Sequence, residues 1–303
     1  MKQILILLIS VILFSCSDNE IRYHIDETTS PTDTLRYLKS DMKPLNGIMY
    51  CEFGENGKYI NGKRDGESKF WYKNGKLKSF VNYKDNKLNG LLKNWFDNGQ
   101  LKVEGKFINS FREGEFKEWY ENGQLRFKGN YINKKGEGEF KEWYENGQLY
   151  YEGYYVEGKK EGLVKKWYEN GQLKYEGNFI NNLREGEFKE WFDNGQLYSV
   201  GNYINGENDG EYKKWKENGD LDYTNNFKDG KLEGIWKNYL DGKLSSTSEY
   251  KNGQLDGISK HYTNGKLSFS VEYKNDKKNG LFKHYFEGKL YSTTKYKDDE
   301  EIK

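Results

Sequence analysis

The chain has 303 residues and is rich in glycine and aromatic residues, with 34 Gly, 26 Tyr, 17 Phe, 8 Trp, two Pro and no Ala. Because alanine is the strongest helix former, a chain this long without alanine is not expected to be helical. The 49 basic and 48 acidic residues leave a formal net charge of +1. Such a balanced chain has no overall field to attract nucleic acid or anionic lipid.

Residues 1–15 have the pattern of an export signal. Lys2 precedes an apolar run from Ile4 to Phe14, which is too short for an ordinary membrane span. The run ends in Leu13-Phe14-Ser15-Cys16, which resembles a lipoprotein signal-peptidase site, with an atypical Phe14. The resemblance implies a signal peptide cleaved before Cys16 and lipidation of Cys16. A plain signal and an uncleaved anchor are the alternatives.

Residues 16–46 are predicted to be a lipid-anchored polar tether. They contain a Thr-rich stretch from Thr28 to Thr34 and no sustained periodicity, and a flexible coil of roughly 30 residues would span about 30 Å. The tract Asp18-Asn19-Glu20 resembles the acidic signal of surface lipoproteins in Bacteroidota. We therefore expect an exported protein at the outer membrane or cell surface of a Gram-negative bacterium. Cys51 is the only thiol besides Cys16, so the fold must be held by its own sheet.

Aromatic residues recur at a fixed spacing in residues 47–303, which we assign to one repeat domain. Seven tryptophans stand 24 residues apart, at Trp71, Trp95, Trp119, Trp143, Trp167, Trp191 and Trp215. Tyr239, Tyr262 and Tyr285 continue the series, the last two at a spacing of 23. A glycine precedes each of these aromatics by five residues. Residues 66–303 are therefore predicted to hold ten units, after a degenerate capping unit at 47–65.

Each unit is predicted to be one β-hairpin. Asn-Gly is a strong hairpin signal because both residues tolerate positive φ. In seven consecutive units a turn glycine follows the aromatic, at Gly75, Gly99, Gly123, Gly147, Gly171, Gly195 and Gly219. After each turn, apolar and polar residues alternate, which predicts a strand with one buried face. The fold class is then all-β, an elongated single-layer antiparallel array of about 20 strands, roughly 100 Å long.

Five glycines, Gly105, Gly129, Gly153, Gly177 and Gly201, fall inside the predicted second strands. A glycine within a strand leaves space for a neighbouring ring, and we expect a tryptophan to lie across each of them. A one-layer sheet has no opposing layer, so the Trp and Tyr side chains are expected to cover one another and supply the core.

The unit Trp-Tyr-Glu-Asn-Gly-Gln-Leu-x-x-Glu-Gly-x-Tyr, seen closely from Trp167 to Phe179, resembles the bacterial variant of the MORN repeat, over about 240 residues. The resemblance implies a single-layer hairpin array with no catalytic apparatus of its own. Many bacterial chains built this way are assigned to a YwqK-like antitoxin family, which implies a toxin as partner. The export signal departs from a cytosolic antitoxin, whereas immunity in the envelope is compatible with it.

Candidate chemical residues are few. His261 and His284 occupy the same position of successive units, about 9 to 10 Å apart, too far to share zinc without a ligand between them. The same position elsewhere is charged, at Glu118, Glu142, Lys166, Glu190 and Lys214, which indicates an exposed charged column. Every glutamate has copies in neighbouring units, so a unique catalytic constellation is not expected. We predict no catalytic residue, no metal, no cofactor and no enzymatic activity.

The leading expectation is a non-catalytic envelope or cell-surface lipoprotein that binds a protein partner. Tyr120, Tyr144 and Tyr168 in the middle units are the candidate partner-binding residues. An antitoxin or immunity protein is the first alternative. The second is a glycan- or choline-binding repeat protein, because aromatic cages bind cations and sugar faces.

Overall fold

The computed structural model describes residues 20–32 and 35–302. The predicted signal at 1–15 and the lipidation site Cys16 lie outside these ranges. Within them the only helical element is a 3₁₀ turn at Ile25–Glu27, and no helix there is long and apolar enough to cross a bilayer. Two compact units divide the chain, one ending at Leu92 and the other beginning at Lys93.

The strands of the first unit are β1 (Arg22–His24), β2 (Thr28–Thr32), β3 (Leu35–Leu38), β4 (Gly47–Cys51), β5 (Gly54–Ile60), β6 (Lys63–Trp71), β7 (Leu77–Lys84) and β8 (Lys87–Trp95), which contains the division. Those of the second unit are β9 (Leu101–Ile108), β10 (Phe111–Trp119), β11 (Leu125–Ile132), β12 (Lys135–Gly136), β13 (Gly138–Trp143), β14 (Leu149–Val156), β15 (Lys159–Lys160), β16 (Gly162–Trp167), β17 (Leu173–Ile180), β18 (Leu183–Trp191), β19 (Leu197–Ile204), β20 (Glu207–Trp215), β21 (Leu221–Lys228), β22 (Lys231–Leu232), β23 (Gly234–Leu240), β24 (Lys243–Lys251), β25 (Gln254–Leu255), β26 (Gly257–Thr263), β27 (Lys266–Lys274), β28 (Lys277–Phe286), β29 (Lys289–Lys297) and β30 (Glu300–Ile302).

In the first unit, the N-terminal segment covers the outer strand of an antiparallel sheet. Strand β1 pairs in parallel with β4, and β4 to β7 pair antiparallel in chain order. Leu45, Met49 and Tyr59 form the buried core of this unit. Strands β2 and β3 make a separate two-stranded hairpin, which docks where the backbone N–H of Arg36 donates to the carbonyl of Gly62 at 2.8 Å.

The expectation of a flexible coil is wrong for most of the predicted tether that the structure describes. Residues 22–32 form β1, the 3₁₀ turn and β2, residues 35–38 form β3, and Leu45 is fully buried. These strands are too short to show a period-two pattern. They are held by contacts distant in sequence, such as the bond from the N–H of Ile48 to the carbonyl of Ile21 at 2.9 Å.

In the second unit, antiparallel strands follow one another in chain order from β9 to β30. Four repeats have a first strand divided in two, as in β12 and β13. Register is constant along the unit: Gly114 faces Tyr131 in an early repeat, and Gly280 faces Tyr296 in the last. The predicted all-β antiparallel hairpin array is therefore confirmed, and the units with shortened turns follow the same plan.

Asn-Gly was expected to place two residues of positive φ in the hairpin turn, but such pairs occur in the other turn of the repeat. In the long hairpin turns only the glycine has positive φ, +87° at Gly123. Asn122 contributes its side chain instead, since its Oδ1 accepts the N–H of Gln124 at 2.9 Å. Turns with two residues of positive φ occur at the opposite edge, for example at Asn133 and Lys134 with φ of 51° and 71°. We call that opposite edge the return-turn edge.

The core of the second unit lies on one face of the sheet, which we call the aromatic face. Its most buried side chains stand three residues before the tryptophan of each repeat, at Phe116, Phe140, Val164 and Phe188. The tryptophans themselves are only half-buried, so the expectation that they supply the core is wrong. A Trp ends each first strand beyond a register shift, which takes it out of the core column.

Glycines inside the second strands leave room for rings of that core. A Cβ placed on Gly105, Gly129 or Gly177 would overlap the ring of Phe116, Phe140 or Phe188, and one on Gly201 would overlap Tyr212. A tryptophan was predicted to lie across each of these glycines, and this is wrong. At these four positions the ring belongs to Phe or Tyr.

The opposite face of the second unit, which we call the charged face, carries pairs of lysine and glutamate. Lys141 lies 2.8 Å from Glu139 and 3.2 Å from Glu152, and Lys165 lies 3.4 Å from Glu176. Exposed pairs of this kind contribute about 0 to 1 kcal/mol each. Their main effect is to keep a wide sheet face soluble.

Candidate functional site

Side chains of the hairpin turns link each repeat to the next. The hydroxyl of Tyr144 donates to the backbone carbonyl of Trp167 at 2.9 Å, and Nδ2 of Asn146 donates to the carbonyl of Glu169 at 3.0 Å. Equivalent bonds join the neighbouring repeats. The repeated Tyr-Glu-Asn-Gly-Gln sequence is thus accounted for by contacts within the array.

The three tyrosines predicted to bind a partner belong to this set of contacts. Tyr120, Tyr144 and Tyr168 are half-buried, and each hydroxyl donates to the tryptophan carbonyl of the following repeat. Burial raises the pKa of all three phenols, which keeps them neutral donors. Their role in partner binding stays a prediction, while the geometry gives them a structural role.

Replacing Tyr144 with phenylalanine is expected to lower the free energy of unfolding by about 1 kcal/mol, because one hydrogen bond to a backbone carbonyl is lost. Phe192 occupies the same position of a later repeat, so the variant should fold. Urea denaturation followed by tryptophan fluorescence measures the change. Tyr291→Phe is the control, since Tyr291 is 80% exposed, and an equal loss in both variants would contradict the assignment.

A ladder of cross-strand neighbours, the central ladder, runs along the aromatic face. In order it contains Phe127, Glu142, Tyr151, Lys166, Tyr175, Glu190, Ser199, Lys214 and Tyr223. The charged members were expected to be exposed, and this is wrong: they are half-buried among rings. Packing on the aromatic face covers their stems while leaving each charge beside a ring or a hydroxyl.

Lysines of the central ladder place their ammonium groups over tyrosine rings. Lys166 Nζ lies 4.4 Å from the ring centroid of Tyr150, and Lys214 Nζ lies 5.0 Å from that of Tyr198. A hydrogen bond to Tyr198 raises the pKa of Lys214. Burial opposes the charge of Lys166, but contacts with Tyr150 outweigh it and raise its pKa as well. Both lysines are therefore cations at neutral pH.

The two histidines of interest continue the ladder in the last repeats. Phe269 lies between them, stacked on His261 with ring centroids 4.2 Å apart and 6.3 Å from His284. The predicted separation by an intervening strand is confirmed, and the residue between them is a phenylalanine. Burial lowers the pKa of His261. Across the described residues, no group of three His, Cys, Asp or Glu side chains is arranged to hold a metal.

An open pocket of about 230 Å³ lies beside Glu190 on the aromatic face. Five rings line it, those of Tyr168, Tyr175, Trp191, Phe192 and Tyr198, together with Lys174 and Glu190. Glu190 Oε2 accepts a hydrogen bond from the Ser199 hydroxyl at 2.9 Å. Burial raises the pKa of Tyr175, so its ring is a neutral phenol. The pocket was not predicted from the sequence, because both Lys and Glu occur at the position of Glu190 in other repeats and the position was interpreted as an exposed charged column.

Five branched aliphatic side chains form a row along the return-turn edge of the second unit, which we call the aliphatic stripe. They are Ile108, Ile132, Val156, Ile180 and Ile204, each 41 to 49% exposed. Successive members are two strands, about 10 Å, apart. The equivalent residues further along are Lys228, Lys251 and Lys274. This stripe was not predicted, although the sequence has an apolar residue before each of these return turns.

A comparison with known protein families finds a match for these repeats. Six segments match the MORN repeat variant family, at residues 64–85, 88–109, 112–133, 136–157, 160–181 and 184–205. Residues 64–205 are thus similar to a run of six MORN repeat variants. Each matched segment begins in a first strand and ends in the return turn, so one repeat is one hairpin. No curated protein matches the chain significantly. MORN repeats generally serve as modules for binding or interaction.

Proposed function

We propose that this protein is a non-catalytic MORN-repeat scaffold that binds a protein partner through the aliphatic stripe. The observation that supports this is a row of half-exposed Ile and Val side chains in five successive repeats. Contiguous exposed apolar surface on a soluble protein commonly marks an interaction site. In the repeats after Ile204 lysine occupies the same position, so the apolar surface has a defined length.

Neighbouring side chains widen the stripe at two repeats. Phe111 faces Ile108 across the return turn and is 46% exposed, and Leu183 faces Ile180 and is 48% exposed. Buried aliphatic and aromatic side chains supply most of the affinity at protein interfaces, while surrounding polar groups exclude water. The stripe has this composition, since polar turn residues such as Asn133 and Asn181 stand beside it.

Substituting aspartate at two members of the stripe, Ile132 and Ile180, should abolish capture of the partner. The full chain serves as bait in an extract of the bacterium that makes it, and proteins retained by the wild type are identified by mass spectrometry. A charge at each of two buried interface positions should reduce retention by about tenfold or more.

The matched control carries the same substitution at Ile235 and Ile258. These residues are 44% and 36% exposed and belong to the later repeats, where lysine takes the stripe position. The proposal requires that this control retain the partner. Equal loss in both double variants, or no specific capture by the wild type, would contradict it.

We also propose that the scaffold is held at the envelope by lipid on Cys16. The support is the signal-like run followed by Leu13-Phe14-Ser15-Cys16, and several acyl chains on one cysteine anchor a protein stably. Radiolabelled palmitate should enter the wild type and be absent from Cys16→Ala. Incorporation that persists in the variant would remove the anchor without touching the binding proposal.

An antitoxin or immunity role differs from this proposal in the identity of the partner. The support is the likeness of the repeat unit to antitoxin families, and the predicted export signal restricts such a role to immunity in the envelope. Co-expression with the product of the neighbouring gene provides the test, because an immunity protein should protect cells from that product when it is toxic.

A further inference from the structure

We propose that the pocket beside Glu190 binds an alkylammonium group, with aromatic rings as its walls and the Glu190 carboxylate as its counter-charge. The pocket lies on the aromatic face, whereas the aliphatic stripe follows the return-turn edge. The site therefore does not depend on the proposed binding of a protein partner through the aliphatic stripe.

In neighbouring repeats, tyrosine rings of this face contact lysine ammonium groups. In the repeats before and after, the position equivalent to Glu190 is Lys166 or Lys214, and each ammonium lies over a tyrosine ring of the preceding repeat. The array therefore supplies its own cation there. In the Glu190 repeat the lysine position holds a carboxylate, the tyrosine position of the preceding repeat holds Lys174, and both side chains line a pocket of about 230 Å³.

Glu190 differs from an equivalent glutamate whose charge is already neutralised. Glu118 lies 3.6 Å from Arg112 and in closer contact with Arg126. In the Glu190 repeat the position of Arg126 is taken by Tyr198. Arg184, which matches Arg112, lies over the Phe188 ring at 3.9 Å. In the part of the chain that the structure describes, Glu190 forms no salt bridge, and its bond is to the Ser199 hydroxyl.

A cation is the ligand that this combination favours. Rings attract a cation through their negative faces, most strongly at Trp and Tyr, and the carboxylate adds a direct charge interaction. Lys174 Nζ already lies 5.0 Å from the ring of Tyr168 at this pocket, so the rings accommodate a nearby ammonium. The volume is below that of most small-molecule sites, which points to a headgroup or a single side chain. A free quaternary amine and a lysine side chain of a peptide share this chemistry.

Choline is the first probe, titrated into the full chain while the fluorescence of Trp191 and its neighbours and the heat of binding are followed. We expect saturable binding in the millimolar range. The neutral isostere 3,3-dimethylbutan-1-ol, which has the same shape without the charge, should bind about tenfold more weakly. Equal binding of the two probes, or no binding of choline, would overturn the proposal.

Glu190→Lys tests the site itself, since it restores the residue type found at Lys166 and Lys214 and should therefore fold. The new ammonium should occupy the pocket and abolish choline binding. Glu187→Lys is the matched control: it makes the same charge change on the same strand, at an exposed position beside Lys189, and should bind choline as the wild type does. Binding that survives in Glu190→Lys, or is lost equally in Glu187→Lys, would overturn the assignment.

Two peptides distinguish the sources of the group. One carries trimethyl-lysine and the other unmodified lysine, in otherwise identical neutral sequences. Competition with choline by either peptide supports an ammonium carried by a protein, and competition by neither, with choline still bound, supports a free amine. Either pattern upholds the alkylammonium site, provided that Glu190→Lys removes it.

Discussion

Phe188→Ala is expected to lower the free energy of unfolding by about 3 to 5 kcal/mol, the range for removing a buried ring. Phe188 is 3% exposed and contacts three other rings. Its centroid lies 5.4 Å from Tyr175, 6.1 Å from Phe179 and 5.9 Å from Tyr203. A single-layer sheet has no second layer to collapse into the cavity, so the loss should lie at the high end of the range.

Urea denaturation of the full chain and hydrogen exchange at the amides of β17 to β19 measure this effect together. Long repeat arrays can lose cooperativity, and exchange reports the local opening that a global transition would blur. Leu163→Ala is the control, because Leu163 is 49% exposed on the charged face and should cost about 0.5 kcal/mol or less. Comparable losses in the two variants would mean that the aromatic face is not the core.

Gly177→Val is expected to cost about 1 to 3 kcal/mol, the usual penalty for overpacking. A Cβ at Gly177 would overlap the Phe188 ring. The backbone of Gly177 is not in the left-handed region, so the penalty should come from the ring contact and not from φ. Valine also favours strands, which makes destabilisation the opposite of what propensity alone predicts.

A double-mutant cycle separates these two causes. In the Phe188→Ala background the ring is gone, and Gly177→Val should cost about 1 kcal/mol less than in the wild type or become stabilising. Urea denaturation of the four proteins provides the numbers. Strict additivity of the two substitutions would show that the ring does not lie across this glycine.

The repeat, its hairpin and its register could be predicted from spacing, because each of ten units carries the same landmarks and errors in one unit are corrected by the others. The core residues could not. Trp119 and Phe116 are both large and apolar, and only the register shift between Glu118 and Trp119 decides which of them is buried. Such a shift leaves little trace in hydropathy.

The remaining differences have similar causes. Asn122 was expected to be chosen for its backbone conformation, yet its side chain bridges two turns, a contact that requires the neighbouring repeat to be in place. The position of β3 depends on a partner far along the chain, Gly62, whose carbonyl accepts the N–H of Arg36. The Glu190 pocket depends on a residue that differs between equivalent positions, with glutamate at 190 and lysine at 166 and 214. The spacing of the repeats predicts only the features that all of them share.

The links between hairpin turns also give the chain a direction of growth. Asn side chains of the long repeats, and Tyr side chains in three of them, donate to the next repeat, as from Asn194 to the carbonyl of Glu217. At Asn218 the series stops, and its Nδ2 turns back to Asp220 in the same turn. Gene duplication could thus insert a further 24-residue copy between Asn98 and Asn194 and find the asparagine bonds matched. A copy added downstream would adjoin the shorter turns and lose these bonds. Related proteins are therefore expected to differ in the number of middle repeats and to share the repeats with shorter turns.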